Sequence, residues 1–321
     1  MNPLAWRPDT PADAAAIDAR LRTAVVSDDD SLTEIASHLA RLGGQRIRPD
    51  FVGASALVGS SEPSASLSND IVTAGVSVEL VHMGSIYHDD VIDDAETRLG
   101  AESVNHRWGD LKAILAGDFL MARASELAAS LSTEIAELLA ETIGWLCEGQ
   151  VKELRSREQQ SRTEAEYLDA IDGKTAALFS TACRIGALVS GIDRHHVDTL
   201  TQFGRSFGMA FQICDDVADF AATNSSVEAT SRTDLAAGIY TMPVIRSLES
   251  SEGPELRRLI GTGEASGIAS GLDIVRNGGT LATSLATASE HAHAAVGHLD
   301  DLPPGQAVDG LRAAALALAI D

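Results

Sequence analysis

The chain has 321 residues, 45% of them hydrophobic and 4% aromatic, with 24 Lys and Arg against 47 Asp and Glu for a formal net charge of −23. That acidity speaks against nucleic acid or an anionic membrane surface as a partner, since both need concentrated Lys and Arg. No uninterrupted apolar run of about 18 residues is present, so no stable membrane insertion is expected.

Helix-start signals recur along the chain: Thr10-Pro11, the capping-box patterns Ser31 to Glu34 and Thr163 to Glu166, and Asp193 ahead of an apolar run. Stop signals stand at Gly43-Gly44, Gly100 and Ser190-Gly191. Between them, Ala- and Leu-rich segments at 66–94, 109–130, 132–158, 163–190 and 193–221 show helical periodicity without strand alternation. The expected fold is all-α, a single-domain helical bundle over residues 1–321 around a central hydrophobic cavity, because no Pro- or Ser-rich linker separates two composition regimes. The segment 222–232, rich in Ser, Thr and Asn, reads equally as a lid or as a plain connection. Cys147, Cys183 and Cys214 lie singly in apolar stretches and read as small buried hydrophobes of a reducing cytoplasm. Met1 to Thr10 lacks the order of a signal peptide, so a cytoplasmic location is expected.

Two clusters share one pattern, Asp89-Asp90-Val91-Ile92-Asp93 and Asp215-Asp216-Val217-Ala218-Asp219. On a helix, the first and last aspartates of each are one turn apart on one face, with the middle one beside them. Like charges crowded on an apolar helix call for a compensating cation. Carboxylate oxygens are hard donors suited to Mg²⁺, which binds through one or two carboxylates plus substrate phosphate oxygens. One such cluster is most simply a solvated face. Two, each embedded in an apolar helix, point to a metal-dependent diphosphate site.

Further motifs stand in order around the clusters: Gly43-Gly44-Gln45-Arg46-Ile47-Arg48-Pro49, Val78-Glu79-Leu80-Val81-His82, Arg98-Leu99-Gly100 and Ala116-Gly117-Asp118 before the midpoint, then Glu148-Gly149-Gln150, Lys174-Thr175, Phe211-Gln212 and Thr241-Met242-Pro243. In this set the chain resembles the trans-isoprenyl diphosphate synthases, or polyprenyl synthetases, and most closely their long-chain actinobacterial members. The resemblance implies the isoprenoid synthase fold and head-to-tail elongation of an allylic diphosphate by isopentenyl diphosphate. It also implies about three Mg²⁺ ions held by Asp89, Asp90, Asp93, Asp215, Asp216 and Asp219, acting as Lewis acids on the departing oxygens. Arg98, Lys174, Thr175 and Gln212 would then contact the allylic diphosphate, and Arg48 and His82 the diphosphate of isopentenyl diphosphate. A homodimer is the implied assembly, with a heteromer as the alternative.

The chain departs from the family pattern at several positions, and two of the losses fall on the isopentenyl side. The family usually carries Lys where this chain has Gln45, Arg where it has Leu99, and Lys-Pro where it has Ala101-Glu102. Each lost charge-assisted hydrogen bond, roughly 1.5–3 kcal/mol, predicts about tenfold to hundredfold weaker binding there. Two other functions are therefore carried forward: a terpene-synthase-like enzyme that ionises without condensing, against which the low aromatic content counts, and a subunit that tunes a partner synthase. In the resembled family, residues one turn before the first cluster form the floor of the hydrocarbon pocket. Here they are the small Gly84 and Ser85, about 6–7 Å from Asp89 along the helix, which implies products of about C20 or longer. Met83, Phe119 and Met121 are the other candidates for a stopper.

Overall fold

A computed structural model of the chain describes residues 2–7, 10–60, 66–222 and 234–319. Beyond Ala222, the segment read as a lid or connection lies outside the described residues, as do Ile320 and Asp321 at the C-terminal end. Among the described residues the fold is all-α, relieved only by a two-residue antiparallel ladder. The chain divides into two compact units, one comprising Met1–Gly144, Leu178–Gly204 and His298–Ala314, the other Trp145–Ala177, Arg205–Gly297 and Ala315–Asp321. Every boundary falls inside a helix, which is why no linker composition marks it in the sequence.

The first unit opens with α1 (Thr10–Ala24), α2 (Asp30–Ala36), α3 (His38–Leu42), α4 (Ile47–Ala56) and α5 (Asn69–Ile92). The N-cap of α2 is Asp29, whose carboxylate accepts from Leu32 N, and not the Ser31 box expected from the sequence. Helix α5 is apolar on nearly all sides and buried along most of its length, the mark of a helix surrounded by protein. It leads into β1 (Thr97–Arg98) and β2 (Ala101–Glu102), paired Thr97 with Glu102 and Arg98 with Ala101. Gly100 therefore belongs to a hairpin turn and does not stop a helix. Next come α6 (Val104–Trp108) and α7 (Asp110–Leu131), which packs along α5. Their backbones approach closely: a Cβ on Gly84 would lie 3.0 Å from the Gly117 carbonyl oxygen. Phe51, Phe179 and Phe203 form an aromatic core in this unit, with ring centroids 5.6 and 6.1 Å from Phe51.

The segments read as 132–158, 163–190 and 193–221 appear as α8 (Thr133–Arg155), α9 (Glu164–Ile171) with α10 (Ala177–Ser190), and α11 (Arg194–Ala222). The capping box of Thr163 and Glu166 opens α9 as expected. Between α9 and α10 the helix widens into one π-helical turn, Asp172–Ala176, in which Ala177 N–H bonds the Asp172 carbonyl. The second unit is completed by α12 (Met242–Glu249), α13 (Gly253–Ile260), α14 (Ala265–Asn277) and most of α15 (Thr280–His298); α16 (Gln306–Leu316) follows. Its core is built on residues such as Tyr167, Ile213, Met242, Val244 and Leu256. No helix among the described residues is long and apolar enough to cross a membrane.

Candidate active site

The first aspartate cluster closes the C-terminal end of α5. Asp93 is the cap residue, its N–H bonded to the Asp89 carbonyl at 2.9 Å, so both remain on one helical turn. A helix C-terminus carries partial negative charge, so carboxylates there are doubly disfavoured without a cation. The cluster is divided by burial. Asp90 is fully buried, while Asp89 is half-buried and Asp93 exposed. Arg98 of β1 donates from Nε and Nη2 to Asp90 Oδ1 at 3.0 and 2.5 Å. Burial raises the Asp90 pKa, opposed by the Arg98 hydrogen bonds. Its Oδ2 is buried without a hydrogen-bond partner.

Neighbouring motifs hold this end of α5 in place. Tyr87 OH donates to the Ile35 carbonyl at 2.8 Å and anchors α5 to α2. His88 Nε2 lies 3.2 Å from the Ile114 carbonyl and 3.4 Å from Asp118 Oδ1. Any Cβ on Gly117 would collide with the His88 ring, which accounts for the glycine in Ala116-Gly117-Asp118.

Beside the cluster, Gln45, Arg48, His82, Arg98 and Leu99 line one pocket of the first unit, together with the glycines Gly43 and Gly44. The residues expected to hold isopentenyl diphosphate are thus brought together, and the two departures, Gln45 and Leu99, line the same pocket. Arg48 packs its guanidinium 4.7 Å from the Phe179 ring centroid. Arg46 and Glu79 line the same pocket, and Arg46 is paired with Asp18 at 3.2 Å, Glu79 at 3.0 Å and the Ala40 carbonyl at 3.2 Å. Burial first, and then the charges of Arg48, Arg46 and Arg98, hold the His82 pKa well below the usual imidazole range. Both effects favour the neutral imidazole of His82. Leu99 and Gly100 form the two-residue hairpin turn with φ of +51° and +78°, a left-handed pair that a leucine fits poorly. Leu99 is 67% exposed.

The second cluster lies near the end of α11 and is divided in the same way: Asp216 is buried, Asp215 and Asp219 are exposed. Both Asp216 oxygens are taken. Tyr167 OH donates to Oδ2 at 2.5 Å and Gln212 Nε2 donates to Oδ1 at 2.7 Å. Burial pushes the Asp216 pKa well above the carboxylate range against these hydrogen bonds, with Asp234 and Asp215 adding to the rise. From Gln212 the network continues to Thr175, whose hydroxyl donates to Gln212 Oε1 at 2.6 Å. Lys174 donates to Glu153 Oε1, also at 2.6 Å. Behind Tyr167, the buried Arg162 lies 5.5 Å from the ring centroid and donates to the Tyr240 carbonyl.

Tyr167, Glu153 and Arg162 surround the expected site residues and were missed by the sequence reading. Nothing in their spacing separates them from ordinary helix positions, and only their contacts reveal them. Among the described residues no three His, Cys, Asp or Glu side chains converge into a ready-made metal cage. Paired carboxylates one turn apart nevertheless match a Mg²⁺ ion that takes its remaining ligands from water and phosphate.

A sequence model described as Polyprenyl synthetase matches residues 29–270. The chain is 35% identical over 248 residues to the nonaprenyl diphosphate synthase of Mycobacterium tuberculosis, covering 77% of this chain and 72% of that protein. It is 33% identical over 306 residues to heptaprenyl diphosphate synthase component 2 of Geobacillus stearothermophilus, covering 95% and 94%. Among solved structures, a polyprenyl synthase from Caulobacter crescentus complexed with calcium and isoprenyl diphosphate superposes with a TM-score of 0.87 at 28% identity, covering 97% of this chain and 95% of that one. The expected isoprenoid synthase fold is the observed one, and the mycobacterial relative matches the actinobacterial long-chain character read from the motifs.

Proposed function

The chain belongs to the polyprenyl synthetase family, and we propose that it is a Mg²⁺-dependent prenyltransferase that condenses an allylic diphosphate with isopentenyl diphosphate, giving a polyprenyl diphosphate of about C20 or longer. The observation that carries this reading is the repeated construction of the two aspartate clusters, one buried and anchored carboxylate flanked by two accessible ones, with the first set beside a pocket holding Arg48 and His82.

In this reading Asp89, Asp93, Asp215 and Asp219 are the ion-facing carboxylates, while Asp90 and Asp216 hold their clusters in register. When bound, about three Mg²⁺ ions would neutralise charge on the departing diphosphate oxygens. Arg98 and Lys174 add fixed positive charge, and Thr175 and Gln212 orient the second cluster. The allylic carbon–oxygen bond breaks with its electron pair leaving on the diphosphate. The π electrons of isopentenyl diphosphate form the new carbon–carbon bond, and a proton is lost from that unit. Arg48 and neutral His82 grip the isopentenyl diphosphate, with Gln45 and Leu99 leaving that grip weaker than is usual in the family.

The two units are taken to work as one isoprenoid synthase domain, in a cytoplasmic homodimer. The Geobacillus relative is named as one component of its synthase, so a heteromeric enzyme is the second reading of the assembly. Ionisation without condensation is not favoured, since the Mycobacterium and Geobacillus relatives are named as a nonaprenyl diphosphate synthase and a heptaprenyl diphosphate synthase component.

The deciding experiment incubates the purified protein with Mg²⁺, labelled isopentenyl diphosphate and a series of allylic diphosphates, and identifies products by mass. Labelled, lengthened diphosphates support the proposal. Release of diphosphate without incorporation of label overturns it, and turnover only after a second chain is added selects the heteromer.

A further inference from the structure

Glu148-Gly149-Gln150 is a motif with no chemistry of its own in the reading above, and Gly149 sits at a close backbone contact with the Lys174 segment. A Cβ on Gly149 would collide with the Lys174 backbone nitrogen and come within 2.8 Å of the Gly173 carbonyl carbon. Conversely, a Cβ on Gly173 would lie 2.9 Å from the Trp145 carbonyl oxygen and 3.1 Å from Gly149 Cα. Two glycines thus let α8 touch the π turn backbone to backbone. Both have ordinary backbone angles, so close approach is the reason for glycine here, not a left-handed conformation.

The π turn is tied down on every side. Arg205 donates Nε and Nη2 to the two carboxylate oxygens of Asp172 at 2.6 and 2.5 Å. Thr175 is bonded to Gln212, and Lys174 to Glu153, which projects from α8 one turn beyond Gly149. A π turn is less favourable than continued α-helix and persists where its surroundings fix it, commonly where function needs displaced side chains. Here the displaced side chains are Lys174 and Thr175.

We propose that Gly149 and Gly173 are positioning residues for Lys174: their backbone contact seats the π turn against α8, and Glu153 then sets the direction of the ammonium group that meets the allylic diphosphate. This rests on the assignment of Lys174 to that diphosphate in the proposed function. Misplacing such a group by about 1 Å costs on the order of a hundredfold in rate.

The test compares wild type with Gly149→Ala, Glu153→Gln, Lys174→Ala, the double variant Gly149→Ala/Lys174→Ala, and Gly144→Ala. The last lies on the same helix with open space around its added methyl group. Both KM values, kcat and Tm are measured for each. We expect Gly149→Ala and Glu153→Gln to raise the allylic KM about tenfold or more, with the isopentenyl KM unchanged and Gly144→Ala kinetically silent. In the Lys174→Ala background, the Gly149→Ala effect should largely vanish. A Gly149→Ala enzyme with lowered Tm but intact kinetics, or one in which both KM values rise together, overturns the inference. Should that variant fail to fold, Gly173→Ala, on the other side of the same backbone contact, replaces it with the same expected rise in the allylic KM, and Glu153→Gln tests the link from α8 to Lys174. If Lys174→Ala itself leaves the allylic KM untouched, the assignment of Lys174 is at fault, and absence of elongation by wild type would sink the proposed function itself.

Discussion

Tyr167, 1% exposed, donates its hydroxyl to Oδ2 of the buried Asp216 at 2.5 Å, and so fixes the middle carboxylate of the second cluster from within the core. Removing the hydroxyl with Tyr167→Phe leaves the ring in place and one buried carboxylate oxygen without its donor. A loss of about 1–3 kcal/mol is expected from that orphaned acceptor. Asp215 and Asp219 flank Asp216 on the same helix, so the variant should also need more Mg²⁺ for half-maximal activity. Thermal melts and a Mg²⁺ titration of turnover check the two effects separately; an unchanged Mg²⁺ requirement would show that Asp216 does not hold its neighbours in place.

Asp50 offers a pH-dependent test away from the clusters. It is buried in α4, and burial, followed by the charges of Glu79 and Asp13, raises its pKa to about 7. Unfolded, the group titrates near its ordinary value of 3.8. Between these values the folded chain holds a proton that the unfolded chain has released, so this contribution to stability is complete below about pH 4 and is lost as pH rises through about 7. The full effect is on the order of a few kcal/mol. Asp50→Asn should therefore be more stable than wild type at pH 8, with the gap narrowing at pH 5. Denaturant midpoints at the two pH values measure it, and a gap that does not change with pH would contradict the assignment to Asp50.

The long helices were legible because their apolar periodicity and caps agree: 109–130 against Asp110–Leu131, 193–221 against Arg194–Ala222, and the Thr163 capping box in place. The π turn was not, since Gly173-Lys174 inside an apolar helical pattern carries no local mark of an inserted residue. Spacing located all six aspartates but could not separate the buried Asp90 and Asp216 from their accessible neighbours, because burial depends on how the surrounding chain packs, as where Tyr167 reaches Asp216 from 49 residues away. The Leu99-Gly100 turn was hidden for a related reason, its strands being too short to alternate.

That turn gives a third prediction. Leu99 holds φ of +51° in a two-residue hairpin whose geometry favours Asn or Gly, so Leu99→Asn should raise stability by roughly 0.5–1 kcal/mol. Leu99→Arg keeps the strain but returns a cation to the pocket wall, and Gln45→Lys adds a second. Together they should lower the KM for isopentenyl diphosphate by about tenfold or more, at roughly 1.5–3 kcal/mol per charge-assisted hydrogen bond. Steady-state kinetics with the allylic substrate saturating would show it. No change in KM would mean that these two positions do not meet the substrate.

In the proposed function, product length is set by the residue below Asp89 that faces the growing chain, and the two candidates Gly84 and Ser85 differ sharply in their surroundings. Gly84 is buried against α7, where its Cβ would lie 3.0 Å from both the Gly117 carbonyl oxygen and Met121 Cγ. An aromatic side chain there has to displace α7, and overpacking of this kind costs about 1–3 kcal/mol or more. Ser85 is half-buried, and its hydroxyl bonds the His82 carbonyl of its own helix at 2.9 Å. Ser85→Phe should therefore fold and shorten the products, while Gly84→Phe should chiefly lower Tm. Mass analysis of products from the two variants, read beside their melting temperatures, decides the matter. Wild-type chain length from Ser85→Phe would move the stopper to Met83, Phe119 or Met121, of which Met121 already packs against Gly84.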